Sequence, residues 1–559
     1  YDGAGRLSTL DFSRGRITYT YDPATGKLKT LGSPGGVTLT YTYDGSLLTR
    51  TTWSGPVTGT VERTYDNNFR VVTEKVNGDA PITYQYEADG LLVKAGDLTI
   101  TRDPQTGLVT GTTLGVVTTV NAYNVFGELI HQEAKSLGQS AFLADYTRDL
   151  LGRITRKVEV IGGVTDTWDY TYDPAGRLEE VDRNGARLSR YEYDANGNRL
   201  KHITPTETIT ATYDDQDRLL TYGDITYTYT ANGELATKTQ NGQTVRYEYD
   251  ELGNLVKVSL PDGIEVEYVI DGQGRRVGKR VGGVLVQGFL YKDQLEPIAE
   301  LSGSTLTDRF IYATNSYSPD VLFKGGEGYR IVTDHLGSSR MVVNTADGTI
   351  AQRVTYDQFG KTTLDTSAGF QAFGFAGGVY DRQTELVRFG ARDYDAGVGR
   401  WTGKDTIQFA GGDANLYGYS FGDPINLIDP SGLRCTNKSP LWVPVKPEES
   451  RRPVVWLAPG ETYEGRIDGV RPPAWGNDWF KVAPWTDVTI QPDGNPDAGG
   501  FGALMTYLFW TNDPAWWVPS GQPHFEDSFP GRKQPNWPER HLDWTVPQPP
   551  PGCACSIYY

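Results

Sequence analysis

The most restrictive feature of this chain is a phrase that recurs from residue 1 to beyond residue 350: Tyr-Asp, three or four residues ending in Gly, then a basic or amide residue and Leu. It is clearest at Tyr172-Asp173-Pro174-Ala175-Gly176-Arg177-Leu178. Other copies stand at Tyr1-Asp2…Gly5-Arg6-Leu7, Tyr21-Asp22…Gly26-Lys27-Leu28, Tyr193-Asp194…Gly197-Asn198-Arg199-Leu200, Tyr249-Asp250…Gly253-Asn254-Leu255 and Tyr356-Asp357-Gln358-Phe359-Gly360. Weaker copies fill the intervals at a spacing of about twenty residues, which marks an array of one structural unit. Stretches such as Thr18-Tyr19-Thr20-Tyr21 and Arg246-Tyr247-Glu248-Tyr249 alternate aromatic with polar, the period of a strand with two unlike faces. Asp then opens a turn in which Gly takes the left-handed position, and Arg-Leu starts the next strand. A hairpin of this size cannot bury its own apolar face, so the copies must stack on one another.

Composition agrees. The 559 residues hold 66 Gly and 34 Tyr, only 38% are hydrophobic, and Tyr, Thr and Val with frequent Gly favour strands over helices. The net charge of −17 disfavours nucleic-acid binding by the repeat body. Cys435, Cys553 and Cys555 are the only cysteines and all follow the repeats, so the array is held by pairing and burial without disulfides. No apolar run is long enough to span a bilayer as a helix. The opening Tyr1-Asp2-Gly3 falls inside a repeat and reads as the start of a fragment or processed product.

From about Gly283 the repeats loosen into a series of distinct segments. Tyr329-Arg330-Ile331-Val332-Thr333-Asp334-His335-Leu336-Gly337-Ser338 is followed by Phe373-Gly374-Phe375-Ala376-Gly377 and Arg388-Phe389-Gly390-Ala391-Arg392-Asp393-Tyr394-Asp395. Then come Gly399-Arg400-Trp401-Thr402-Gly403-Lys404-Asp405, Asn415-Leu416-Tyr417-Gly418-Tyr419 and Asp429-Pro430-Ser431-Gly432-Leu433. Repeats and segments together resemble the Rhs/YD-repeat family, which includes bacterial Rhs polymorphic toxins, the C component of insecticidal Tc toxins and the teneurin YD shell. The resemblance implies an all-β fold in which YD-repeat hairpins spiral into a hollow shell, followed by a small Trp/Pro-rich C-terminal domain. The expected domains are a YD-repeat shell over 1–282, an Rhs-associated core over 283–433 that closes it, and a variable cargo over 434–559. Two positions depart from the family pattern: Thr406 stands where Pro is usual, and Asp393 where a second aromatic is usual.

The same resemblance assigns chemistry to the end of the core. Arg392, Asp405 and Asp429 match the arginine and two aspartates that the family uses to cut itself after Asp-Pro-x-Gly-Leu, which makes Leu433–Arg434 the scissile bond. The residue types suit the reaction. Amide hydrolysis by carboxylates needs one ionised to take a proton from water and one protonated to serve the carbonyl, and a guanidinium helps keep the first ionised. A structural reading stands beside it: Asp429-Pro430-Ser431-Gly432 suits a type I turn, Asp405 suits a turn cap, and Arg392 has Asp393 and Asp395 at hand. His335 reads as a turn or core histidine, since no Cys or Ser partner stands at a nucleophile's spacing.

Residues 434–559 carry ten of the thirteen Trp and most of the Pro. Val454-Val455-Trp456 and Thr486–Ile490 read as short strands, and Phe501–Trp510 as strand or helix. His524, Glu526, Asp527, His541 and Asp543 match no specific nuclease or metal pattern, and Cys553-Ala554-Cys555 lacks clustered co-ligands, so no metal and no cofactor is assigned. The expected activity is a single-turnover aspartyl autoprotease acting in cis, in a shell that releases its own C-terminal polypeptide. The implied partners are that enclosed polypeptide, a secretion-system or toxin-complex component reached through a preceding region, and an immunity protein. The implied location is secreted or at the cell surface of a bacterium. The alternative is a teneurin-like adhesion or carbohydrate-binding shell.

Overall fold

The computed structural model describes residues 1–411 and 413–433, and beyond them the backbone of seven short strands between Val443 and Val518. From Thr9 to Asp365 the chain forms a single antiparallel sheet of 35 strands. Each strand pairs with the one that follows it, so the topology is a meander from end to end. The all-β reading of the repeats holds. The sheet continues through residue 283 by the hairpin of Arg276–Val281 and Val284–Tyr291.

The repeat phrase is a set of interlocking clamps. Asp173 accepts hydrogen bonds at Oδ1 from the Ala175 and Arg177 amides (2.9 and 3.0 Å) and at Oδ2 from Arg177 Nε (2.7 Å). Gly176, at φ +85°, closes the turn in a conformation that side chains resist. The guanidinium held by Asp173 lies over the ring of Tyr193 in the next copy, 4.8 Å from its centre. The Tyr193 hydroxyl donates back to the carbonyl of Leu178 (2.8 Å). Arg153 and Tyr172 repeat this, with Tyr172 donating to the Ile154 carbonyl (2.6 Å), as do Arg275 and Tyr291, with Tyr291 donating to the Arg276 carbonyl (2.8 Å). Tyr, Asp, Gly and Arg thus each have a part in the clamp, and each copy fastens its neighbour, although Phe69 and Asp217 take the glycine position in two copies and Asn254 the arginine position in another.

Register slips by one residue just before this tyrosine in copy after copy, at Thr20/Tyr21, Thr64/Tyr65, Thr171/Tyr172, Glu192/Tyr193 and Glu248/Tyr249. An extra residue in one strand increases the local twist and bends the sheet. Repeated at this frequency, the slip curls the meander until a later stretch lies along an earlier one. Ser33 Oγ donates to the Ile270 carbonyl across 237 residues of sequence (2.9 Å) and Arg309 to the Ala80 carbonyl across 229 (2.7 Å). The Val116 amide donates to the Thr345 carbonyl (2.9 Å), and Arg340 makes a two-pronged contact with Glu159 (2.7 and 2.8 Å). One apolar cluster accordingly joins Ile17, Leu39, Trp53 and Val76 to Phe289, Leu322, Val342 and Phe373.

After the long sheet the chain builds a four-stranded meander from Val379–Asp381, Leu386–Phe389, Arg392–Asp395 and Arg400–Trp401. It docks through buried charges: Asp381 meets Lys279 (2.7 Å), Asp393 meets Arg276 (2.9 Å) and Asp395 meets Lys238 (2.9 Å), all three cations coming from the long sheet. Phe375, Phe389, Tyr394, Trp401 and Tyr419 fill the space beneath it. The described residues fall into two compact units. One comprises Tyr1–Asn124, Leu129–Thr406 and Asn415–Gly432, and the other Val125–Glu128, Ile407–Ala414 and the residues from Leu433 onward. Beyond residue 433, Val455–Leu457 and Val488–Ile490 are strands, in line with the sequence reading of both segments. Arg434, Phe501–Trp510, His524, Glu526, Asp527, His541, Asp543, Cys553 and Cys555 lie outside the described residues.

Candidate active site

Strand Arg392–Asp395 follows a tight hairpin whose register pairs Phe389 with Arg392. The turn is Gly390-Ala391, and only glycine fits its first position: φ is +40°, and a Cβ there would stand 2.3 Å from the Ser431 carbonyl oxygen. The close approach is productive, because the Ala391 amide donates to that same carbonyl (2.9 Å). Gly432 is constrained in the same way, at φ +67° with room for a Cβ denied by the Phe389 carbonyl oxygen and the Arg392 amide nitrogen (3.0 and 3.1 Å). Two glycines, one on each side, let the chain after Asp429 lie directly against the strand that carries Arg392.

The three residues singled out in the sequence are brought together. Arg392 Nη2 lies 2.8 Å from Asp405 Oδ2 and 3.1 Å from Asp429 Oδ2. The two carboxylate oxygens are therefore no farther apart than these two contacts laid end to end. All three side chains are buried, with 4%, 6% and 3% of their surface exposed. Arg392 is further set by Nη1, which donates to the Leu416 carbonyl (3.3 Å), and by the Trp401 ring, 4.2 Å below the guanidinium. The Asp405 amide donates to the same Leu416 carbonyl (3.0 Å), so one backbone oxygen helps to place both partners. Ser431 Oγ donates to Asp429 Oδ1 (3.3 Å), and the Gly432 amide closes the turn on the Asp429 carbonyl (3.4 Å). The Asp-Pro-Ser-Gly turn read from the sequence is thus present and coincides with the carboxylate cluster.

Asp393 and Asp395 are engaged elsewhere. Asp393 binds Arg276 and Arg388 (both 2.9 Å), and Asp395 binds Lys238 (2.9 Å). The charged residue at position 393 is thereby explained, since two buried guanidiniums hold it. Thr406, the other departure, is exposed. His335 donates through Nε2 to the Ile425 carbonyl (2.7 Å) and packs on Tyr146, and burial pushes its pKa down to about 4. It is a neutral core histidine at physiological pH.

Sequence reasoning did not find the group that anchors the approach to Asp429. Asn426 Oδ1 accepts from the Ile154 amide (2.7 Å) and its Nδ2 donates to the Tyr172 hydroxyl (2.8 Å), plugging this segment into a repeat clamp. Asp423 steers Asn426 by accepting from the same Nδ2 (2.9 Å), and burial raises the Asp423 carboxyl to about 6. Nothing in the local sequence signals this role, because both partners come from residues far earlier in the chain. Burial, followed by the charge of Asp429, also pushes the Tyr419 phenol up.

The Teneurin YD-shell family model matches residues 1–425. Teneurin-3 of Danio rerio is 29% identical over 462 residues, covering 77% of this chain and 17% of that protein. Teneurin-4 of Mus musculus is 30% identical over 305 residues, covering 52% and 11%. Double-stranded DNA deaminase toxin A of Burkholderia cenocepacia is 27% identical over 367 residues, covering 57% and 25%. This chain therefore spans a quarter or less of these relatives. A crystal structure of TcdB2-TccC3 aligns with 75% of this chain and 22% of that one, at 20% identity and a TM-score of 0.38. The clamped hairpin repeats, the closing core segments and the match over residues 1–425 lead to one assignment: the chain belongs to the Teneurin YD-shell family.

Proposed function

We propose that this chain is a self-cleaving shell that cuts its own Leu433–Arg434 bond and so frees residues 434–559 as an effector polypeptide. The observation that supports this best is the single Arg392 nitrogen shared by buried Asp405 and Asp429 at 2.8 and 3.1 Å. In the proposed reaction one aspartate, ionised beside Arg392, takes a proton from water as it attacks the Leu433 carbonyl carbon. The other, protonated, donates to the carbonyl oxygen, and the resulting tetrahedral species collapses with transfer of a proton to the Arg434 nitrogen. The bond belongs to the same chain, so proximity replaces a substrate pocket and each molecule reacts once. The buried, low-dielectric setting strengthens every charge in the cluster. Similarity to a bacterial deaminase toxin over part of its length is consistent with an effector after the core.

The test is a denaturing gel with N-terminal sequencing. The parent should yield two bands and a new N-terminus at Arg434, and Asp405→Asn and Asp429→Asn should each leave one full-length band. Splitting after Leu433 in both Asn variants would defeat the dyad. Protease protection of residues 434–559 in the native protein supports enclosure, whereas ready digestion of that stretch favours the adhesion reading.

A further inference from the structure

Next to the Asp429–Gly432 turn is a second concentration of buried charge that takes no part in the carboxylate cluster. Arg275, Arg276, Arg388, Tyr291, Gly390 and Pro430 line a cavity that gives the centre of a water-sized sphere about 30 Å³ of room. The three arginines are only 5%, 6% and 6% exposed. Their partners fall short. Arg275 has Asp271 (2.7 Å), but Arg276 and Arg388 share the one carboxylate of Asp393 (both 2.9 Å). Widening the circle does not restore the balance, because Lys279, the next cation, is taken up with Asp381 (2.7 Å). Among the described residues, the carboxylates paired with Arg275, Arg276, Lys279 and Arg388 are those of Asp271, Asp381 and Asp393, and the remaining acceptors are neutral: the Asp293 carbonyl for Arg275 (3.0 Å), Asn254 Oδ1 for Arg388 (3.4 Å) and the Gln383 amide for Lys279.

Both Arg276 Nε and Arg388 Nε are buried without a hydrogen-bond partner among the described residues. Burial lowers the Arg388 pKa, Asp393 counters it, and Arg276 lowers it further. The Tyr268 ring, 3.5 Å from the Arg276 guanidinium carbon, and the Tyr291 ring near Arg275 offer faces of partial negative charge. They do not replace a full charge. A buried positive charge without a counter-charge is expensive, and a site of this kind ordinarily holds an anion. The space suits one or two waters or a single monatomic ion.

We propose that this cavity binds one small monovalent anion of the halide class, held between Arg276 and Arg388. Its wall includes Gly390 and Pro430, so occupancy braces the turn on which Asp429 sits. The proposal does not depend on self-cleavage. Bromide soaked into crystals of the full-length protein should give an anomalous peak within hydrogen-bond reach of Arg388. The melting temperature should be higher in chloride than in gluconate at equal ionic strength, by an amount on the order of 1 °C. Arg388→Met should remove that difference. Should that variant fail to fold, Gln294→Glu serves instead: Gln294 is exposed and lines the cavity, so a carboxylate there supplies the missing charge internally and should abolish the chloride effect. Equal melting in both salts, or bromide found only on surface lysines, would overturn the site and leave a water-filled cavity.

Discussion

Asp405 and Asp429 meet on one nitrogen: Nη2 of Arg392 stands 2.8 Å from the first carboxylate and 3.1 Å from the second. The contact links the segments that carry Asp405 and Asp429 to strand Arg392–Asp395 and carries the proposed chemistry, which makes Arg392 the most informative residue to change.

Arg392→Lys keeps a charge but loses the planar fork that reaches both aspartates and the Leu416 carbonyl. Self-cleavage should slow by roughly 10²-fold or more, the usual worth of a preorganised charged donor at a reacting centre. The measurement is the disappearance of the full-length band with time after dilution from denaturant. A Lys variant that cleaves at the parent rate would remove Arg392 from the mechanism.

Gly390→Ala tests the backbone geometry without touching a charge. Its Cβ must displace the Ser431 carbonyl oxygen, 2.3 Å away, and adopt a strained φ of +40°. The expected cost is about 1–3 kcal/mol. Cleavage should slow in step, because the turn bearing Asp429 moves. Ala391→Gly is the control, expected to leave the rate close to that of the parent.

Asp423 supplies a pH dependence whose sign is fixed by its environment. Its folded pKa is raised to about 6 from an ordinary value of 3.8, mainly by burial. The folded chain therefore holds the proton more tightly than the unfolded one between these values. Its contribution to stability is present in full below pH 3.8 and is lost as pH rises through 6. Asp423→Asn should flatten that part of the stability profile and keep the Asn426 anchor at neutral pH. Denaturant midpoints at steps between pH 4 and 7 are the readout. An unchanged slope would mean that Asp423 titrates near its ordinary value.

The repeat clamp predicts coupling between neighbouring copies. Asp173 and Tyr193 do not adjoin in sequence, yet Arg177 bonds the first and covers the second. Arg177→Met should destabilise the local hairpins by about 1–2 kcal/mol. Hydrogen exchange should rise on both sides, at Leu178–Arg183 and at Ala186–Tyr193. Double-mutant cycles of Arg177 with Tyr193 should show a non-zero coupling. Strict additivity would reduce the repeat to independent turns.

Much of this molecule is written locally. The period of two, the Asp and Gly of each turn and the spacing of copies specify hairpins, because each of these terms acts over a handful of residues. Gly176 suits its φ of +85° better than any residue with a side chain, and Asp173 finds Arg177 four positions on without help from the rest of the fold. The carboxylate cluster was legible for a different reason: its residues sit in segments with a family resemblance, and their types suit the chemistry.

Tertiary structure decided what no local pattern encodes. Whether Arg392 would pair with adjacent Asp393 and Asp395 or with distant Asp405 and Asp429 depended on Arg276, Arg388 and Lys238, which take up the near aspartates. Two of those three competitors come from the long sheet, and they reach the core only because a one-residue slip before each tyrosine curls that sheet. The Asn426 anchor on Ile154 and Tyr172 and the surplus of buried guanidinium around Pro430 have the same origin. Charge pairing in a buried setting is settled by which groups the coil brings together, and the coil is the sum of many small bends that no single repeat reveals.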